Sequence, residues 1–247
     1  MPKWPQLTRI HQVNDTPDLT ELHGPATHDA LANAWRSWGR LDEHVIGHLV
    51  NPSFMGGPRW PGLRQAHVIA RRDDALLVAS DGLADPIEWT DAPPSNGFGV
   101  EVYGIAEGLP TDADTMTVAA TWLTRMVMTV SNTVAGNGTR FLDMLEHYGS
   151  LTMDLPGVVL PDEATAFTGD GRDPCVLLGL DHTEIPTTID GPLSTIRLVN
   201  VKLLTAAEAD YCVQGTTGVA EARGELARLL KTRPNPLRSS LDRQSVV

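Results

Sequence analysis

Two short segments constrain this chain more than its composition does. Ser80-Asp81-Gly82-Leu83-Ala84-Asp85-Pro86 and, one loop later, Asn96-Gly97-Phe98-Gly99-Val100-Glu101-Val102-Tyr103 read as two strands joined by an acidic loop. In the second, Phe98, Val100 and Val102 fall on one face of an extended chain and Glu101 and Tyr103 on the other, the period-two pattern of a strand covered on at least one side. Asp81-Gly82 turns the chain out of the first strand, and Gly97 and Gly99 allow positive φ or close backbone approach where the second begins. Asp85, Glu88 and Asp91 are then expected to be displayed beside Trp89, an aromatic flanked by carboxylates. That combination suits recognition of a basic, partly apolar surface; the alternative is an ordinary connection with a packed tryptophan.

The flanking sequence supplies a mixture of strands and helices. Residues 66–71 and 75–80, separated by Arg72-Asp73-Asp74, predict a hairpin. Residues 26–49 have apolar positions at helical spacing, with Leu31, Trp35 and Trp38 on one stripe. The Pro- and Gly-rich stretch 51–62 reads as a loop, packed down by Phe54, Met55 and Trp60. Residues 110–115 offer caps for a helix running to about Ala135 and stopping at Gly136, its apolar stripe formed by Val118, Trp122, Met126 and Val130. Further strands are expected at 157–160, 175–180 and 195–204. Thr205-Ala206-Ala207-Glu208 is a capping box opening a short helix, and 218–232 reads as a second. Hairpins interleaved irregularly with helices predict an α+β fold with a mixed, largely antiparallel β-sheet flanked by helices.

A chain of 247 residues, 41% hydrophobic and 20% charged, can bury a sizeable core without disulfides. It is read as one domain over residues 1–247, with an N-terminal helical part at 20–50 and a C-terminal helix and tail at 216–247. Met1-Pro2-Lys3-Trp4-Pro5 has no apolar signal region and no run is long enough to cross a bilayer, which predicts a cytoplasmic protein without membrane partners. Cys175 and Cys212 read as two reduced thiols. The net charge is -12, and residues 73–196 alone carry -17, with only Arg125, Arg140 and Arg172 against twenty Asp and Glu. Phosphate contacts need a positive face, so nucleic acid is not an expected partner there, whereas a basic protein is. The stretch from Arg223 to Arg243 leans the other way, with six basic residues against Glu225 and Asp242.

No complete catalytic pattern is present. His44 and His48 would share a helical face at i and i+4, a spacing that can hold zinc, but the zincin pattern requires Glu directly after the first His and Val45 stands there. Residues 168–173 lack the spaced ligands of a calcium loop and read as a tight turn. Gly136-Asn137-Gly138 has no following Lys-Ser or Lys-Thr, and no GxSxG elbow occurs. The expectation is therefore a protein that is not an enzyme, with no catalytic residues, bound metal or cofactor. A metal-dependent hydrolase built on His44 and His48 is the catalytic alternative.

The paired segments at 80–86 and 96–103 resemble the "DGLSDP" and "GFGxEL" segments of suppressor-of-fused (SUFU) domain proteins, and other motifs follow in family-like order over about residues 60–215. These are Leu76-Leu77-Val78, the Trp122 helix, Leu155-Pro156-Gly157-Val158-Val159-Leu160, Val176-Leu177-Leu178-Gly179-Leu180 and Leu204-Thr205-Ala206-Ala207-Glu208. Ser239-Ser240-Leu241-Asp242-Arg243 looks like the close of bacterial members. The resemblance implies a SUFU-like α+β domain without a cofactor that acts by stoichiometric binding; eukaryotic members sequester transcription factors, and bacterial ones are associated with toxin neutralisation. For this acidic chain it implies an immunity protein facing a basic toxin domain of a bacterial polymorphic toxin system, with an intracellular regulatory binding module as the alternative. Asp91 matches the acidic position preceding the GFG segment, while Pro86 and Ile87 depart from the eukaryotic loop. The expected partner-binding residues are Asp85, Glu88, Trp89, Asp91 and Tyr103.

Overall fold

The structure, a computed structural model, describes residues 18–48, 51–169, 171–214 and 218–247; Trp4 and Asp170 lie outside the described residues. Helix α1 (Leu19–Trp38) precedes two short strands, β1 (Arg40–Leu41) and β2 (Ile46–Gly47), and the hairpin of β3 (Ala66–Arg71) and β4 (Ala75–Asp81). A smaller hairpin, β5 (Pro86–Ile87) and β6 (Ser95–Asn96), leads into β7 (Val100–Glu107). Helices α2 (Thr115–Ala119), α3 (Trp122–Asn137) and α4 (Arg140–Tyr148) follow, then β8 (Leu151–Asp154), the single turn α5 (Thr165–Thr168) and β9 (Cys175–Leu178). After β10 (Thr188–Asp190) and β11 (Thr195–Leu204) come α6 (Ala206–Gln214), α7 (Val219–Lys231) and β12 (Arg238–Ser239).

Strands β1, β3, β4, β7, β11, β9 and β8 lie side by side in that order. Among the described residues only the pairings of β7 with β11 and with β12 are parallel, so the sheet is mixed and largely antiparallel, as expected. β11 changes neighbour along its length: residues 197–200 pair with 100–103 of β7, and residues 201–204 pair with β9. Where β7 and β11 part, β12 pairs with Ile105 and Ala106. It is tied to β11 through side chains, Asn200 Nδ2 donating to Leu237 O (3.2 Å), Leu203 N to Ser239 Oγ (3.0 Å) and Lys202 Nζ to Arg238 O.

Both faces of the central strands are covered, which is why the 75–80 run shows no polar alternation. Leu76, Val78, Val100 and Val102 share one core with Val118, Trp122, Met126 and Val130. Leu77, Ala79, Tyr103 and Ile105 share the other with Leu31, Trp35 and Trp38 of α1 and Leu226 of α7. Close approach of α3 to β7 depends on Gly104, where an added Cβ would stand 2.9 Å from both Leu123 Cδ1 and Met126 Cε and 3.0 Å from Val127 Cγ2. These are ends of side chains that can shift, so Gly104→Ala is expected to cost about 1–3 kcal/mol of stability, as overpacking usually does. Urea denaturation of the variant checks this, and a neutral result would mean that α3 rests on the sheet less tightly than the structure requires.

Several elements differ from expectation. The helix read over 26–49 instead starts at Leu19 and ends at Trp38, because the next residues leave the helix to pair as β1 with Ala70 and Arg71. The long helix after Pro110 is two helices: Thr121 accepts from Thr124 N through its side chain and starts α3 afresh, so Val118 belongs to α2 although it keeps its place in the core. Residues 157–160 are not a strand; Gly157 turns at φ 78° and Val158 N bonds back to Leu155 O, while the strand β8 lies just before. Helix α4 was not anticipated. In the 51–62 loop only Trp60 is packed away, whereas Phe54 is 74% and Met55 81% exposed.

Candidate protein-binding surface

The acidic loop is a hairpin built on a buried polar clamp. At the end of β4 the chain reverses through Gly82, whose φ of 138° and position against Arg64 O, 2.3 Å from where a Cβ would be, admit only glycine. Gly97, at φ 51° and closely packed on Leu83 O, brings the chain back. Between them β5 and β6 pair through Pro86 with Asn96 and Ile87 with Ser95. Asn96 anchors the returning arm: its Nδ2 donates to Thr27 Oγ1 of α1 (2.7 Å), and its Oδ1 accepts from Leu193 N and Ser194 N (both 2.9 Å).

The clamp itself is Glu101, which is fully buried. Its Oε1 accepts from Gly82 N (3.0 Å) and Ala84 N (2.9 Å), and its Oε2 meets the Ser80 hydroxyl. Burial, reinforced by the charge of Asp81, pushes the Glu101 carboxyl up to about 8. Beside it, Arg64 Nη2 bridges Asp81 (3.0 Å) and Asp85 (2.9 Å), and burial raises the Asp85 carboxyl against the pull of that guanidinium. The two sequence motifs are thus one interlocked turn, with the glutamate of the second holding the backbone of the first.

The expected binding residues separate into two groups. Glu88 and Asp91 are exposed on the hairpin tip together with Thr90, Ala92, Pro93 and Pro94. Trp89 is half-buried, its Nε1 donating to Ser95 Oγ (2.8 Å) and its ring 6.4 Å from that of Phe98. Asp85 is not displayed beside it: paired with Arg64, it is 6% exposed at the hairpin base. Tyr103 lies in the core, its ring 5.6 Å from that of Trp35, because its face of β7 is covered by α1. Arg64 and Asn96, which position the loop, were not singled out from sequence; a glutamate inside an otherwise apolar strand was the available signal, since such a group must find partners.

The charges also redistribute in three dimensions. The basic C-terminal stretch folds back onto acidic partners: Arg238 pairs with Asp74 (2.6 Å), Glu184 (2.8 Å) and Glu107 (3.4 Å), Lys231 with Asp181, and Arg243 with Glu208. His44 sits in a bend and His48 follows β2, so they do not share a helical face, and among the described residues no group of three His, Cys, Asp or Glu is placed to hold a metal ion. Cys175 and Cys212 are buried free thiols pushed up by burial to about 12 and about 11. Among the described residues no helix is long and apolar enough to cross a membrane.

No known protein-family profile matches the sequence, and no curated protein matches it. Among solved structures, the chain is similar to the crystal structure of Drosophila Suppressor of Fused, with a TM-score of 0.53 and 14% identity over 91% of this chain and 51% of that one. A second similar structure, from a Sufu-Fu complex, gives a TM-score of 0.48 and 13% identity over 88% of this chain and 89% of that one. The protein therefore has an α+β, Suppressor of Fused-like fold. It spans about half the length of the Drosophila chain.

Proposed function

We propose that residues 1–247 form one SUFU-like domain that works in the cytoplasm by stoichiometric protein binding, without turnover or cofactor, and that it is an immunity protein neutralising a cognate basic toxin domain of a bacterial polymorphic toxin system. The observation that carries this reading is the hairpin tip, an exposed acidic surface held on a rigid buried base. Glu88, Trp89 and Asp91 are its contacts, and Asp85 shapes it from below. The motif resemblance and the shared fold support the class of protein, and the acidity of residues 73–196 supports a basic partner.

The test needs the cognate toxin, which an immunity protein is expected to have encoded beside it. Raising salt to physiological strength screens charges beyond about 8 Å, so the association rate should fall strongly while dissociation changes less. Replacing Glu88 with Gln and Asp91 with Asn should slow association on the order of tenfold with little change in thermal stability, since exposed carboxylates usually contribute within about 0.5 kcal/mol to folding. Trp89→Ala tests the apolar half of the surface. Binding that ignores salt and all three substitutions would place the interface elsewhere.

A further inference from the structure

Next to the hairpin base lies a groove of about 840 Å³ between α1 and the 51–65 loop. Phe54 and Leu63 stand on its rim, 74% and 81% exposed, and Asp85, Arg64, Gln65 and Trp60 line its inner part. Its size and mixture of apolar rim with a few converging polar groups are those of a ligand site. Trp60 and Gln65 are each more than nine-tenths buried, and Trp60 Nε1 and Gln65 Oε1, which have no hydrogen-bond partner among the described residues, are closed off from solvent and so lie out of reach of an occupant. Carboxylates outnumber guanidiniums at the groove: Asp18 and Asp85 on its lining and Asp81 beneath, against Arg59 and Arg64. Gly62 closes directly over Asp85, where a Cβ would stand 2.7 Å from its Oδ2, an oxygen that no hydrogen bond among the described residues reaches.

We propose that this groove receives a basic side chain of the protein partner, an arginine or lysine flanked by an apolar residue, with the apolar residue against Phe54 and Leu63 and the cationic head toward Asp85. The assignment rests on the reading of the partner as a basic protein and adds where and by what chemistry it is anchored. A cation here offsets the excess carboxylate charge. The stem of an arginine or lysine is apolar enough to lie along the rim while its head remains polar. Arg59 also stands exposed on the lining, so peptides with Gln or Glu in place of the basic residue serve as the charge controls.

The experiment titrates the full chain with acetyl-Leu-Arg-Leu-amide while the backbone amide signals of Gly62, Leu63 and Ala84 are followed by NMR. The same peptide with Gln or Glu in place of Arg provides two further arms. Saturable shifts at those three amides, with the Arg peptide binding at least about tenfold more tightly than the Gln peptide and the Glu peptide not binding, are expected. Asp85→Asn removes the charge but also disturbs a buried ion pair, so the decisive variant is Phe54→Ser with Leu63→Ser, both exposed; it should weaken the Arg peptide about tenfold without loss of fold. Preference for the Glu or Gln peptide, shifts only elsewhere, or a double variant that binds as well as the parent overturns the groove assignment. Because no toxin takes part, these outcomes are independent of the hairpin test: a Glu88→Gln, Asp91→Asn variant should bind the Arg peptide normally even where it loses the toxin.

Discussion

Replacing Glu101 with Ala is expected to destabilise the protein by about 3–5 kcal/mol, because it strands two buried N–H groups, Gly82 and Ala84, and opens a cavity beneath the turn. Glu101→Gln separates charge from shape. A glutamine can accept from the same two amides and donate to Ser80, reproducing the protonated acid, so its stability near pH 6 should lie within about 1 kcal/mol of the parent. The pH dependence gives the second readout. The folded carboxyl titrates at about 8, above its unfolded value, so the folded state holds the proton more tightly. This contribution is fully present below the unfolded pKa, near 4.3, and is lost as pH rises through about 8. Urea denaturation between pH 5 and 9 should therefore show stability falling with pH in the parent, and that fall should be absent in Glu101→Gln. If the two proteins share one pH profile, Glu101 is ionised in the fold and the clamp works as a charged acceptor.

The second large effect is expected at the C-terminal strap. Arg243 Nη1 donates to Glu208 Oε1 (2.6 Å), and its Nη2 donates to Leu203 O (2.8 Å) and to Glu208 Oε2. Glu208 is 0% exposed and also closes the capping box, accepting from Thr205 N (2.9 Å). Burial opposes its ionisation, but the hydrogen bonds and charge of Arg243 outweigh that and hold its pKa below the usual carboxylate value. Arg243→Met should cost about 3–5 kcal/mol, since it leaves a carboxylate buried without its cation. Changing Glu208 to Met as well should recover much of the loss, because removing both members of a buried pair is often close to neutral. With Arg243 in place, the depressed pKa contributes stability above the unfolded value that is lost as pH falls through the folded one, so this pair adds to acid sensitivity. An Arg243→Met protein as stable as the parent would show that the strap is not part of the folding unit.

Local rules sufficed wherever one segment carried its whole instruction. The 66–71 and 75–80 hairpin, β11 over Thr195–Leu204, the Thr205–Glu208 capping box and α7 all lie where spacing and caps place them, because each depends on residues only a few positions apart. The same rules joined α2 to α3, since a four-residue apolar stripe runs through both and only the Thr121 cap divides them. They read residues 157–160 as a strand because the apolar run is the same whether it pairs or packs irregularly.

Exposure was the quantity that the sequence could not supply. Glu88, Asp85 and Asp91 are alike as isolated carboxylates, but Arg64, brought to the hairpin base from the segment just before β3, takes Asp85 into the interior and leaves the other two on the tip. The division of the sheet between β7 and β11, and its filling by β12, likewise joins residues on the order of a hundred positions apart. Composition and pattern determined the α+β class, the strand pair around the acidic loop and the excess of negative charge. Tertiary packing alone decided which carboxylates are paired and which face solvent, because desolvation and ion pairing depend on distance in space and not on separation along the chain.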